Sequence, residues 1–333
     1  MRNFWVFVSV FIDCQAMELH QTKIHTSDVD AFAAWDQNNG WTSKKTQLSK
    51  GKAWFRTDIA ILGELTVWRH WSTARMLSEF TPPEDVVEFM FARCPSLGMW
   101  NGIEVTSTPL VLHHDTHTYR TIAPGRTIAY GFIFPKRLVR ELGLVPGDSF
   151  LKKLPAEHAL FPVVENVAAS FFHFIDSIVI NQHHVAGHDR MEVAYTYEST
   201  VSRLQGVLDA CLKDQSESSD SRIMPNRKLV DDARDIMESR LQEPINIAEI
   251  AKEVGASRRS LESAFKAHIG TSPYQFLNLQ RLHATHRMLK QGEYPINHIC
   301  RKFGFNNPGR FAKMYAELFG ELPSETLKPT RLR

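Results

Sequence analysis

The last third of the chain repeats itself. Ile247-Ala248-Glu249-Ile250-Ala251-Lys252-Glu253-Val254-Gly255 recurs as Ile296-Asn297-His298-Ile299-Cys300-Arg301-Lys302-Phe303-Gly304, an offset of 49 residues. Leu261, Phe265, Gly270 and Pro273 recur as Phe311, Tyr315, Gly320 and Pro323 at an offset of 50. A repeat of this period is one supersecondary unit used twice.

The unit reads as two short helices. Asn246 caps the first, with Glu249 as the reciprocal partner three residues on. Ile247, Ile250 and Ala251 form its buried face, and Gly255 supplies the left-handed residue of a tight turn. Ser257 caps a second helix that runs to about His268. Leu261 and Phe265 face inward, which leaves Arg258, Arg259, Glu262, Ser263 and Lys266 outside. Two helices joined by a glycine turn, the second basic on its outer face, make a helix-turn-helix. In the second copy Ile296, Ile299 and Cys300 form the first face, and Gly304 turns the chain. Asn307 caps, Pro308 opens the second helix, and Phe311 and Tyr315 face inward. Gly309, Arg310, Ala312 and Lys313 stay outside. Between the copies, Ser272, Pro273 and Gln275 start a helix that stops at Gly292. At 1.5 Å per residue its length is about 27 Å, against about 34 Å between major-groove faces on one side of DNA.

Charge follows the same division. From Pro225 to the C-terminus there are 18 Lys and Arg against 12 Asp and Glu, a net +6, while the rest of the chain has 21 against 25, a net −4. A basic segment on an acidic body points to a polyanion for that segment. The polar, serine-rich run from Lys213 to Asn226 reads as a linker. The expected domains are therefore 17–212, for sensing or dimerisation, and 227–330, for DNA binding, joined by linker 213–226. Residues 1–16 are expected to be an upstream extension, with Met17 as the natural start. The apolar run Phe4–Ile12 is too short to span a bilayer, and Asp13-Cys14-Gln15 is a poor cleavage site. No stretch approaches about 20 apolar residues, so no membrane partner is expected. Cys14, Cys94, Cys211 and Cys300 form no C-x-x-C pair, which argues against a zinc finger or disulfide framework and fits a reducing, cytoplasmic compartment.

Upstream of the linker, strands precede helices. Short β-branched or aromatic runs at Lys52–Thr57, Glu64–Trp71, Val86–Arg93, Pro109–His113 and Thr127–Phe134 are separated by turn signals, as in an antiparallel barrel or sandwich. From Pro162, placed at a first turn, Val164, Val167, Phe171, Ile175 and Ile178 recur at helical spacing. A second helix runs from about Asp189 to Leu212. Its seam of Ala194, Tyr197, Val201, Leu204, Leu208 and Cys211 suits either a dimer interface or packing within its own domain.

The C-terminal residues resemble the AraC/XylS family of bacterial regulators over about Leu229 to Lys328. The most diagnostic part is Gly304-Phe305, Phe311, Phe319-Gly320 and Pro323-Ser324. Residues 27 to about 212 are more weakly similar to sensor domains of this family, including that of ethanolamine-operon regulators, through Ala31-Phe32-Ala33-Ala34-Trp35 and Gly51–Trp71. The resemblance implies an α+β chain: a cupin-like β domain with C-terminal helices, then an all-α domain of two helix-turn-helix units joined by a long helix. It also implies a sequence-specific transcription regulator. Its partners would be double-stranded DNA, RNA polymerase, a small-molecule effector and a second copy in a homodimer. Carried over by position, the base-reading residues are Arg259, Glu262 and Ser263, then Gly309, Arg310 and Lys313. Arg258 lies on the same DNA-facing surface, and Lys266 and Lys313 suit phosphates. Cys300, Pro295 and Tyr315 depart from the family pattern, and Pro308-Gly309 opens the second recognition helix with few base-reading groups, which shifts the second unit toward phosphates.

Two other function classes were weighed: a ligand-independent regulator controlled by dimerisation or a protein partner, and an enzyme on the β domain. G-x-S-x-G, P-loop and H-E-x-x-H motifs are all missing, so no catalytic residue or cofactor is expected. His113, His114 and His117, and the pair His184 and His188, lack a convincing third ligand, so they read as structural or surface groups rather than a metal site. Trp68, Trp71, Trp100 and Tyr119 suit either an apolar pocket or core packing. No effector-binding residue is assigned.

Overall fold

The computed structural model describes residues 19–93, 98–105, 108–114, 117–145, 160–163, 165–180, 190–213 and 225–327. The expected extension at 1–16, nearly all of the expected linker, and His184 and His188 lie outside the described residues.

The N-terminal part is a two-sheet β structure backed by helices. One sheet contains β1 (Leu19–Thr26), β3 (Phe55–Leu62), β4 (Leu65–Ser72), β6 (Val86–Arg93), β9 (Pro109–His114), β11 (Thr127–Pro135) and β12 (Leu160–Pro162), in the order β1-β3-β4-β11-β6-β9-β12. The other contains β2 (Thr42–Gln47), β5 (Met76–Thr81), β7 (Gly98–Trp100), β8 (Ile103–Val105) and β10 (Tyr119–Ala123), in the order β2-β5-β10-β7-β8. Side chains alternate across a strand, so each strand of the large sheet feeds two faces. Leu65, Val67, Val87, Phe89, Phe91, Leu110, Leu112, Phe132 and Phe134 face a helical layer, and Trp68, His70, Glu88, Met90, Val111 and His113 face the small sheet.

The helical layer comprises α2 (Lys136–Glu141), α3 (Glu165–Val179) and α4 (Arg190–Lys213), while α1 (Val29–Asn38) sits beside β2. Phe171 stacks on Phe132 at 5.1 Å and Phe172 on Tyr130 at 4.5 Å. The heptad seam of α4 belongs to the same core: Ala194, Tyr197, Leu204, Leu208 and Cys211 are buried against it, with Val201 packed alongside. The seam therefore packs on its own domain, one of the two roles its spacing suits, and is not left free as a dimer interface. Pro162 ends β12 opposite Pro109, so it closes a strand rather than opening a helix.

The C-terminal part is all-α: α5 (Arg227–Ser239), α6 (Ile247–Glu253), α7 (Arg258–His268), α8 (Pro273–Gln291), α9 (Ile296–Lys302), α10 (Pro308–Phe319) and α11 (Pro323–Thr326). Its N-caps fall where the sequence places them, but Glu249 forms no reciprocal capping box with Asn246. Asn246 accepts from Ala248 N, Ser257 from Ser260 N and Asn307 from Arg310 N, and Ser272 and Gln275 form a capping box. Gly255 and Gly304 turn with φ of 69° and 77°. Pro295 offers no side-chain cap to α9. The α8 helix joins two cores: Phe276 and Leu277 enter the first with Ile250, Leu261 and Phe265, and Leu282 and Leu289 enter the second with Ile299, Phe311 and Tyr315.

Candidate nucleic-acid interface and sensor cavity

Each helix-turn-helix unit presents its second helix to solvent. On α7, Arg258, Arg259, Ser263 and Lys266 are exposed and Glu262 is half-buried. On α10, Gly309, Arg310 and Lys313 are exposed. Arg259 and Arg310 carry no ion pair among the described residues, so both guanidiniums are free to meet an external acceptor. Glu262 is engaged: Arg258 Nε donates to Glu262 Oε1 at 2.9 Å, one turn away. Lys266 reaches back toward the Gly270 carbonyl at 3.4 Å, near the end of α7. The inward set is buried as the periodicity requires, and the Tyr315 hydroxyl donates to Thr326 Oγ1 at 2.7 Å. Burial raises the pKa of that phenol. The 19 residues of α8 separate the two units by a rod of about 28 Å.

The β domain grips this pair of units at the C-terminal ends of both second helices. Arg75 Nη2 donates to the Ile269 carbonyl, the C-cap of α7, at 2.6 Å. Gln47 Nε2 donates to the Leu318 carbonyl in the last turn of α10 at 2.8 Å, and Gly51 N donates to the Glu317 carbonyl at 2.8 Å. These carbonyls have no intrahelical partner at a helix end, so the β domain completes the helices. His283 Nε2, midway along α8, donates to the Gln47 carbonyl at 3.1 Å. Arg234 of α5 is almost fully buried and reaches Glu79 Oε2 at 2.6 Å, while Arg120 holds Glu79 Oε1 at 2.6 Å and also pairs with Asp231. Burial alone would raise the Glu79 carboxyl pKa, but the two guanidiniums outweigh it and hold the group below the usual range. Asp28, Asp30 and His286 cluster between α1 and α8, with the Lys290 ammonium against both carboxylates.

Between the two sheets lies a cavity of about 590 Å³. Trp68 and Trp100 line it, with Phe32, Trp35, Trp41 and Phe80. Trp71 sits on the opposite face of β4 by strand parity. Tyr119 is buried beside Trp100, with its hydroxyl tied to the His114 backbone at 3.0 Å. Trp68 lies flat on β11: a Cβ on Gly131 would meet the indole at 2.2 Å, so only glycine fits there. Glu88 accepts from Trp68 Nε1 at 2.8 Å and pairs with His113. His113 and His114 point to opposite sheet faces, so they do not converge as a ligand pair. At the other end, Lys45 pairs with Asp36 at 2.8 Å, and His70 meets Thr57 at 3.0 Å. Burial drops the His70 pKa to about 3. Trp41 and Glu88 carried no functional signal in the sequence.

A family model described as a helix-turn-helix domain matches residues 250–329. The chain is 34% identical over 104 residues to a probable thc operon regulatory protein of Rhodococcus erythropolis, which is 30% of this chain and 31% of that relative. Residues 250–329 are thus a helix-turn-helix domain of the AraC type. A second likeness, to the HTH-type transcriptional regulator GbdR of Pseudomonas aeruginosa, is 36% over 90 residues, 27% of this chain and 24% of that protein. The chain thus spans about a third or less of these curated relatives. A solved AraC-type DNA-binding-domain regulator from Chromobacterium violaceum is 32% identical over 30% of this chain and 90% of its own, with a TM-score of 0.30. No helix among the described residues is long and apolar enough to cross a membrane.

Proposed function

We propose that the chain is a sequence-specific transcription regulator, not an enzyme, that grips double-stranded DNA with both helix-turn-helix units and responds to a small molecule in its N-terminal cavity. The observation that carries this reading is a shared wall. The small sheet lines the cavity with Met76, Ser78 and Phe80, and its outer face packs Leu77 and Ile122 among Val230, Ala233 and Phe276 of the DNA-binding domain. A ligand that shifts β5 therefore acts on α5 and α8 directly, by its different affinity for two arrangements of that wall.

On this reading 17–212 senses, 213–226 links and 227–330 binds DNA. Arg259 and Arg310 are the residues suited to guanine, Ser263 and Glu262 lie beside the base edges, and Arg258, Lys266 and Lys313 face phosphates, with Gly309 allowing close backbone approach. A homodimer, contact with RNA polymerase and a cytoplasmic location rest on the family resemblance. The test is binding of the full chain to a duplex DNA pool as salt rises. Affinity should fall steeply between 50 and 200 mM salt, because lysines and arginines release counterions. A folded chain that fails to bind DNA at low salt would overturn the reading.

A further inference from the structure

Strands β6 and β9 place Glu88 and His113 directly opposite one another, both on the cavity wall. His113 Nδ1 meets Glu88 Oε2, and Glu88 Oε1 accepts from Trp68 Nε1. An indole N–H only donates and an ionised carboxylate only accepts, so an ionised Glu88 accepts at both oxygens. With one proton on the imidazole, that proton sits on Nδ1 and leaves Nε2 as an acceptor. His113 Nε2 is buried with no partner among the described residues, and so is Trp100 Nε1, which can only donate. The two rings are 4.7 Å apart, centre to centre, and Phe80 meets His113 edge-on at 4.8 Å. A buried acceptor and a buried donor therefore sit on neighbouring rings in an aromatic box, and each is costly until something satisfies it.

We propose, building on the reading of this cavity as an effector site, that it takes an uncharged aromatic hydroxy compound. One hydroxyl oxygen accepts from Trp100 Nε1 and donates to His113 Nε2, while the ring lies among Trp41, Phe80 and Trp100. A hydroxyl is the small group that does both. A carboxylate cannot donate, and it would bring a second negative charge beside Glu88 into a water-poor space. A quaternary ammonium makes neither bond. The volume of about 590 Å³ holds two fused rings with space left over.

The test is calorimetric titration of the full chain at pH 7.5 with three probes of one shape: 2-naphthol, 2-naphthoate and 2-methylnaphthalene. The expected result is 2-naphthol binding about tenfold or more tighter than either of the others. Trp100→Phe keeps a ring and loses the N–H, so it should cut 2-naphthol affinity by about fivefold or more and leave 2-methylnaphthalene nearly unchanged. If 2-naphthoate binds as tightly as 2-naphthol, the hydroxyl assignment is overturned and the cavity reading stands. If 2-naphthol leads but Trp100→Phe leaves its lead intact, the assignment to Trp100 and His113 is overturned. If none of the three binds, both the assignment and the cavity reading fail. Should Trp100→Phe not fold, the wild-type ranking still decides the class.

Discussion

Arg75, just before the strand that forms the cavity wall, donates from Nη2 to the carbonyl of Ile269 at 2.6 Å, at the C-cap of the first DNA-facing helix. The β domain and the first helix-turn-helix unit thus meet through a hydrogen bond to a helix end, which water would otherwise serve. Gln47 does the same for the second helix through Leu318. One stretch of the β domain therefore holds both helix-turn-helix units in a fixed relation.

Removing that bond should weaken the hold. Arg75→Ala is expected to lower stability by about 1–3 kcal/mol, the range for a charged donor to a backbone acceptor in a half-buried setting. The denaturant midpoint of the full chain measures it. A loss under about 0.5 kcal/mol would mean that solvent satisfies the Ile269 carbonyl equally well.

Gly131 has a steric role beneath Trp68. A methyl there would meet the indole at 2.2 Å and push it away from Glu88. Gly131→Ala should cost about 1–3 kcal/mol as an overpacking change. It should also shift the tryptophan fluorescence spectrum. An unchanged melting temperature would contradict the placement of Trp68.

Acid should loosen the contact between the domains. Burial depresses the His283 pKa from 6.5 to about 4, and His70 from 6.5 to about 3. Unfolded histidines bind protons from about pH 6.5 downward while these folded ones stay neutral, so the stability they contribute is present above pH 6.5 and is lost as pH falls toward 4 and 3. The slope is about 1.4 kcal/mol per pH unit for each proton. His283→Gln keeps a donor for the Gln47 carbonyl and removes one titrating group. Stability measured by denaturant between pH 7.5 and 5 should then fall less steeply than in the wild type. Equal slopes would show that His283 titrates normally in the folded chain.

Much of the DNA-binding half was legible because local signals agree there. Caps, turn glycines and helical spacing all fall within short windows, and Asn246, Ser257, Ser272 and Asn307 cap where the sequence placed them. In the N-terminal half the two long helices were legible from their spacing, but the strands only where they are apolar. Strand β2, Thr42–Gln47, is almost wholly polar, because its buried Thr46 and Gln47 serve hydrogen bonds to α8 and α10 rather than an apolar core. The cavity was hidden for a related reason. Glu88 and His113 are 25 residues apart and become partners only through the β6–β9 register, which no local pattern encodes. The seam on α4 left two roles open because a heptad stripe looks alike whether it meets another chain or its own sheet.

Base reading and phosphate holding should separate by mutation. Arg259→Ala should relax sequence preference by about 1–3 kcal/mol at one base pair, since a bidentate arginine discriminates by that much. Lys266→Ala should instead weaken binding to all sequences alike and make the salt dependence shallower. Competition assays with matched and mismatched duplexes distinguish the two. An unchanged preference in Arg259→Ala would remove Arg259 from the base-reading set.

Selection of the full chain against a random duplex pool tests the central claim most directly. Two exposed basic helices on one rigid α8 should enrich a site with two sequence elements about 10 base pairs apart, one helical turn. Arg259→Ala should degrade one element and Arg310→Ala the other. Enrichment of a single short element that both substitutions leave untouched, or no enrichment at all, would contradict a reader built from two coupled helix-turn-helix units.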